Sequence, residues 1–416
     1  MLVCLAAVSV SLPMAWISLS KFLVFVFCLA YLIRNHFLNQ SDPAFNALWT
    51  PRIILTLLLI FAVSLAWTEG DPSVAVLALI KHSKLVGILV LICLIRTAHE
   101  ARIGIRAFAA GQAFLLLTSW LMVAGIPIPW SRSATGLYVV FSTYLDQSII
   151  FATTAAIYWH LDSDRLWPRW LAGLLAVAAL INVLLLLEGR TGYMVALTVL
   201  SLAAMWAMPK SLRIGTVLAT PIIGLCILYF GSTHVQERLT KVIHESQTFA
   251  SQKASGTLIE SSSGWRLNAW LRSIEALQES PWLGHGVGSW TISVKKHEGS
   301  SATKVFGEGN ASNPHQEYLL WGVELGVAGL LLLLGLLACF IRDALQFETP
   351  IARALISTVC AMAVASLFNS TLYDALIGDF FCTALGLLMA LGIRDKLMPS
   401  EQAISPPESI QLKAAV

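Results

Sequence analysis

Asn313-Pro314-His315-Gln316-Glu317 places an imidazole where a polar stretch gives way to a long apolar run. A histidine there titrates near neutral pH and can take a proton from a hydroxyl. Alone, such a residue more often just closes a helix end at a membrane surface. Two arginines change the balance. Arg190 lies in Glu188-Gly189-Arg190-Thr191-Gly192, a tight turn between apolar runs that needs no cation. Arg266, in Gly264-Trp265-Arg266-Leu267, opens a helical pattern, where backbone N–H groups also attract anions. A guanidinium stays charged and grips phosphate oxygens as a fork. Two such groups and one imidazole on one face are what a departing pyrophosphate and an attacking hydroxyl require. The competing reading has Arg190 reaching to lipid headgroups and Arg266 pairing with a nearby glutamate.

Other polar residues carry weaker signals. Lys81, His82 and Lys84 fall inside an apolar run, where charge is costly and defaults to function. They could attract the phosphates of a lipid carrier, or pair with an acid such as Asp146 or Glu324. Glu69 and Asp71 read first as a solvated turn and second as an acidic pair for a metal or acceptor. Asp162-Ser163-Asp164 imitates the metal-holding pair of nucleotide-sugar transferases, but no surrounding domain could hold a nucleotide. Gly284-His285-Gly286-Val287-Gly288 imitates a phosphate-cradling loop, yet it neither follows a strand nor opens a helix. We read it as a turn. No cluster has metal-ligand spacing, and the seven cysteines all lie in apolar runs with no paired motif. Metal-independent chemistry is the expectation.

The elements that must position these groups are membrane helices. The 416 residues are 57% hydrophobic and only 12% charged, with mean hydropathy +0.73. Soluble domains carry about 25% charged residues. Runs such as Ile53–Trp67, Val74–Ile95 and Leu319–Ile341 approach or exceed the length that crosses a layer about 30 Å thick. Soluble enzymes, nucleic-acid binders and disulfide scaffolds are excluded, and continuous runs exclude a β-barrel. The pattern predicts an all-α integral membrane protein of about twelve spans. They fall near 2–17, 21–33, 53–67, 74–95, 104–124, 137–159, 168–187, 192–208, 213–231, 316–341, 351–369 and 376–393. The first run lacks a preceding cation and reads as a retained span rather than a cleaved signal.

With the N-terminus cytoplasmic, thirteen Lys and Arg, from Arg34 and Arg52 to Arg394 and Lys396, fall at cytoplasmic ends, against Lys21, Arg132 and Arg190 outside. Both termini are then cytoplasmic. The chain divides into a nine-span bundle (1–231), a large outer loop (232–315), a three-span bundle (316–395) and a tail (396–416) that reads as disordered. The loop's charges nearly cancel, with eight Lys/Arg against seven Glu over 232–314. Leu267, Trp270, Leu271, Ile274 and Leu277 recur at helical spacing behind Ser262 or Ser263 as cap. That predicts an amphipathic helix on the membrane face or against the bundle.

His315-Gln316, nine residues, then Gly326-Val327-Ala328-Gly329 resembles the His-(Asn/Ser/Gln)-x9-Gly-x-x-(Gly/Thr/Tyr) signature of the O-antigen ligases. The stretch from Gly284 through His315 into the following span is similar to the domain they share with O-antigen polymerases and protein O-oligosaccharyltransferases. The resemblance implies a GT-C-like glycosyltransferase of the bacterial inner membrane, its active site facing the periplasm. It would move an O-antigen polysaccharide from undecaprenyl pyrophosphate to a sugar of lipid A–core, with inversion and without metal, nucleotide or other cofactor. By position, His315 matches the motif histidine, Arg190 the arginine at the outer start of the eighth span, and Arg266 the arginine of the large loop. Lys81, Lys84, Gln316 and Trp265 are the expected substrate-binding residues. Nothing demands more than a monomer, and the partners are the two lipid-linked glycans and membrane lipid. One large loop and a short tail favour the ligase over the polymerase and the protein-glycosylating enzymes. A transporter or flippase of a lipid-linked sugar is the alternative from another class, but the candidates gather at one face rather than the midplane.

Overall fold

The computed structural model describes residues 1–37, 42–131, 136–161, 166–231, 233–255, 261–296 and 313–397. Arg132, Asp162, Asp164 and the tail from Pro399 lie outside the described residues. Among the described residues every regular element is helical. In chain order they are α1 (Leu2–Ser9), α2 (Met14–Phe37), α3 (Pro43–Ala47), α4 (Thr50–Val63), α5 (Pro72–His82), α6 (Val86–Leu94), α7 (Ala98–Val123) and α8 (Tyr144–His160). There follow α9 (Arg169–Ile181), α10 (Arg190–Ala207), α11 (Arg213–Gly231), α12 (Thr233–Ser255) and α13 (Ser262–Glu279). The last are α14 (Trp290–Lys296), α15 (Glu317–Ala344), α16 (Thr349–Ser366) and α17 (Ala375–Leu397).

Eight helical segments are long and apolar enough to cross a membrane: Met14–Arg34, Pro72–Leu94, Ala98–Val123, Arg169–Leu186, Lys210–Gly231, Glu317–Ala344, Thr349–Ser366 and Ala375–Leu397. This is a multi-pass membrane protein. Thr50–Ala66 is apolar but shorter. The expected spans near 137–159 and 192–208 are helices, α8 and α10, in which polar residues such as Ser148, Thr153, Thr154 and Thr191 are buried in the bundle. The first expected pair is drawn differently. The chain breaks at Val10–Pro13 and not at Ser18–Lys21, because Lys21 pairs with Asp379 of α17 at 2.7 Å and α2 runs straight through it. A lysine inside a span here marks a neighbour, not an end. At eight residues, α1 rises about 12 Å, less than the hydrocarbon layer.

α17 forms the centre, packed by α6, α7 and α16, with 89% of its apolar window buried. α11 lies at the edge, with only 6% of its window buried. α10 bridges α8 and α11, and α13 lies along the first half of α15.

α15 is two helical pieces joined at Gly326, whose φ of 66° and ψ of −155° no side-chain-bearing residue adopts cheaply. The break releases backbone groups that the 281–288 loop satisfies. The N–H groups of His285 and Gly286 donate to the carbonyls of Val323 and Glu324 at 2.8 Å, and Val327 N–H donates to Pro281 O at 2.7 Å. Gly288 N–H donates to the Glu324 carboxylate at 2.8 Å. The glycine-rich segment is thus a splice between the loop and α15, and its three glycines all have positive φ. A Cβ on Gly326 would sit 2.5 Å from the Trp282 carbonyl carbon. Gly326→Ala is therefore expected to destabilise by about 3 kcal/mol or more. Thermal unfolding in detergent checks this, and an unchanged midpoint would refute the assigned role of the break.

The expected loop helix is α13, capped by Ser261, whose hydroxyl accepts from Gly264 N–H at 3.0 Å. The cap stands one residue earlier than its spacing indicated. Gly264, Ala269, Ser273 and Ala276 are buried while Leu271 and Ile274 are exposed. Small residues let the two helices approach closely, as helices in membranes commonly do. α12 has no counterpart in the sequence reading, since its few apolar positions are diluted by charge.

Candidate active site

The starts of α8, α10, α13, α15 and α17 meet at one end of the bundle, as the cavities described below require. Arg190 is the first residue of α10, whose cap Gly189 offers no side-chain acceptor. Its place depends on close packing. A Cβ on Gly189 would lie 2.0 Å from Ser148 Oγ of α8, and one on Gly192 2.3 Å from the same atom. Glycine alone lets the turn press this near. Arg190 Nη1 donates to Ser263 Oγ at 2.9 Å and stands 3.7 Å from the Glu245 carboxylate, which also accepts from the Ser263 hydroxyl. The glutamate partner anticipated for Arg266 serves Arg190 instead.

Arg266 is half-buried and has no carboxylate partner among the described residues. Burial and, further down, the like charge of Arg190 press its guanidinium below the ordinary range, opposed by Tyr144 and Asp374. It lies on the wall shared by two cavities. One, about 320 Å³, is walled by α10–α13 and is almost wholly hydrocarbon, with Leu197, Leu225, Leu228, Val242, Leu267 and Trp270 among its lining and Arg190, Ser263 and Arg266 as its polar patch. The other, about 620 Å³, is more polar than the first and holds His315, Asp374, Asp146 and Arg266. Arg190, Arg266 and His315 are thus linked through Arg266, two cations at one cavity and the imidazole across the shared wall.

His315 carries a left-handed backbone, φ 50°, rare for a residue with a side chain. Asn313 holds it there: its Oδ1 accepts from His315 N–H at 2.9 Å, closing a turn two residues long. The same oxygen accepts from Ser370 Oγ at 2.9 Å, and Asn313 Nδ2 donates to Asp374 at 3.3 Å. The Trp265 ring meets the imidazole edge-on, with centroids 5.3 Å apart. His315 Nδ1 is buried with no hydrogen-bond partner among the described residues. Burial, then the Arg266 charge, lowers its pKa to about 4, so the ring is neutral at physiological pH.

Asp374 was not legible as a site residue, since only the folded chain brings the turn between α16 and α17 to His315. Burial, then Glu317 and Asp146, raises its pKa to about 7 against the opposing charges of Lys84 and Lys81. Glu317, wholly buried at the start of α15, fixes that turn by accepting from the N–H groups of Leu372 and Tyr373 at 2.9 and 3.3 Å.

The remaining candidates fall nearby in different states. Lys84 Nζ donates to the carbonyls of Leu372, Tyr373 and Asp374 at 3.4, 2.8 and 2.7 Å, so its protons are spent on the α16–α17 turn. Lys81 Nζ sits 4.1 Å from the Tyr373 ring centroid. Gln316 caps α15, its side-chain oxygen accepting from Leu319 N–H. His82 pairs with Glu324 at 2.8 Å and stacks on Phe61. Glu69 binds Lys296 and His285, which, with Lys296 first among the causes, hold its carboxyl below the usual range. Asp71 caps α5 without a side-chain bond.

The architecture and site together define a multi-pass helical membrane protein with a cationic, histidine-bearing pocket at one end. Residues 174–334 match the family described as O-antigen ligase. Arg190, Arg266, His315 and Gly326 all lie within the matched residues. Members of this superfamily are glycosyltransferase-like enzymes acting on lipid-linked glycans. No curated protein matches the chain significantly.

Proposed function

We propose that the protein is an O-antigen ligase, transferring O-antigen polysaccharide from undecaprenyl pyrophosphate to a sugar hydroxyl of lipid A–core at the periplasmic face of the inner membrane. The observation that carries this reading is the paired Arg190 and Arg266 at the mouth of a hydrocarbon-walled cavity. Glu245 pairs with Arg190 and not with Arg266, so the polar patch of the cavity keeps a net positive charge, and a dianionic head on an isoprenoid tail neutralises it while filling the cavity. The helix starts there add their own positive ends.

In the transfer, the acceptor oxygen forms its bond to the anomeric carbon from the face opposite the leaving group. The carbon–oxygen bond to pyrophosphate breaks, and its electron pair goes to the phosphate, where Arg190 and Arg266 stabilise it. The acceptor proton passes to His315, whose neutral ring is ready to receive it. Asp374 supplies a second reading of the base, because its pKa of about 7 matches the task at neutral pH more closely. Trp265 keeps the imidazole in place, Gln316 caps the helix that follows it, and Lys81 packs on Tyr373 of the turn that bears Asp374. Lys84 acts through the turn that presents Asp374. No nucleotide or metal enters the scheme. The orientation puts the starts of α10, α13 and α15 in the periplasm and the ends bearing Arg96, Arg102 and Arg342 in the cytoplasm. Twelve passes with both termini cytoplasmic require that α1 with its continuation to Pro13 count as one.

The test is incubation of the purified protein with undecaprenyl-pyrophosphate-linked glycan and rough-type lipopolysaccharide, in chelator and without nucleotide. The expected result is a shift of the acceptor to higher mass on a gel. Glycan joined to itself and not to the acceptor would make it a polymerase, and glycan on protein an oligosaccharyltransferase.

A further inference from the structure

The tail and pyrophosphate of the donor use the hydrocarbon cavity and leave the 620 Å³ cavity unaccounted for. Its lining is of another kind. The start of α8 contributes Ser142, Tyr144 and Asp146, and the α16–α17 turn contributes Asn369 and Asp374. Carboxylates, hydroxyls and an amide beside apolar surface from Phe141 and Leu376 are what vicinal sugar hydroxyls and the flat apolar face of a pyranose need. The helix places Asp146 firmly: Thr143 caps α8, its hydroxyl accepting from Asp146 N–H at 3.1 Å.

We propose that this cavity holds the acceptor's reacting sugar and selects an uncharged or amino-bearing sugar over a phosphorylated one. The inference rests on the transferase reading above. The cation lining this cavity is Arg266, which the leaving pyrophosphate engages from the other side of the wall. With donor in place, the charge of the cavity comes from Asp146 and from Asp374, which is about half ionised at pH 7 because burial, then Glu317 and Asp146, raises it to about 7, and neither Lys81 nor Lys84 is part of the described lining. A phosphate entering it meets like charge in a site of low dielectric, whereas an ammonium group meets opposite charge. His315 stands on the same wall, so a hydroxyl of the bound sugar lies next to the imidazole.

The test uses three competitors of transfer to rough-type lipopolysaccharide: n-butyl glucoside, n-butyl glucosaminide and n-butyl glucoside 6-phosphate. The first two are expected to compete with acceptor and not with donor, and the phosphate to be at least tenfold weaker. Asp146→Asn is expected to raise the acceptor KM about tenfold, leave the donor KM unchanged and narrow the phosphate's disadvantage at least fivefold. Asn369→Ala, which keeps the charge, is expected to raise the acceptor KM while leaving that disadvantage intact. Competition with donor, or an unchanged disadvantage in Asp146→Asn, overturns the assignment. If the parent protein transfers nothing, the transferase reading has failed instead, and direct calorimetric binding of the three glycosides in the presence of inorganic pyrophosphate, which occupies Arg266, still decides what the cavity prefers.

Discussion

His315→Ala is expected to lower polymer transfer by about 100-fold to 10,000-fold, the range a positioned general base supplies. Membrane insertion and donor binding are expected to survive, because the ring makes no side-chain hydrogen bond that the fold needs. The pH profile sharpens the test. A base must be unprotonated, so activity rises with pH through its pKa and is level above it. With His315 held at about 4 by burial and then by Arg266, kcat/KM for the donor is expected to be flat from about pH 6 to 8 and to fall only in acid. Bound pyrophosphate offsets the Arg266 charge and lets the ring become more basic. The acid limb in kcat therefore lies at higher pH than that in kcat/KM. If Asp374 takes the proton instead, the free protein's limb sits near 7, where burial and then Glu317 and Asp146 place that carboxyl. Asp374→Asn then removes the limb. A half-maximal rate at pH 7, with His315→Ala within threefold of the parent, sinks the imidazole assignment.

What the sequence disclosed and what it withheld follow from the range of the interactions involved. Apolar runs and the spacing of Leu267, Trp270 and Leu277 are local, and the helices they indicate are present in α13 and the spans. The motif His315-Gln316…Gly326-Val327-Ala328-Gly329 was legible as a pattern, but its physical reason was not. Gly326 is there because α15 breaks at φ 66° against the 281–288 loop, a contact made between segments about forty residues apart. From sequence the Gly284–Gly288 segment reads as a turn for the same cause, since its partners, Val323 and Glu324, belong to another helix. Lys84 and Gln316 looked available for substrate because sequence gives no account of protons already donated or oxygens already capping. Asp374 was invisible because burial, which raises its pKa, is a property of the fold. Lys21 misled in the opposite direction: its charge read as a boundary until Asp379 supplied the partner.

Arg266→Ala is expected to be the more damaging of the two arginine substitutions, cutting turnover by about 100- to 1,000-fold, as removal of one donor to a developing anion does. Arg190→Ala is expected to cost less, about tenfold to 100-fold, because its guanidinium is a third exposed and already shared with Ser263 and Glu245. Lysine at either position keeps the charge and loses the fork, so Arg266→Lys recovers part of the rate and none of the bidentate geometry. The substitutions differ again in their effect on His315. Arg266 lowers the imidazole pKa through its charge, so Arg266→Ala is expected to move the acid limb of kcat/KM upward toward the ordinary histidine value. Arg190 is not among the charges acting on the ring, and its removal should leave that limb in place. A role confined to folding predicts the reverse pattern, with both variants lost from the membrane in proportion to their activity and neither limb displaced. Single-turnover rates with bound donor, measured beside membrane yield, separate the two. Arg266→Ala turning over within threefold of the parent would remove the electrostatic half of the mechanism, since no other guanidinium among the described residues lines both cavities.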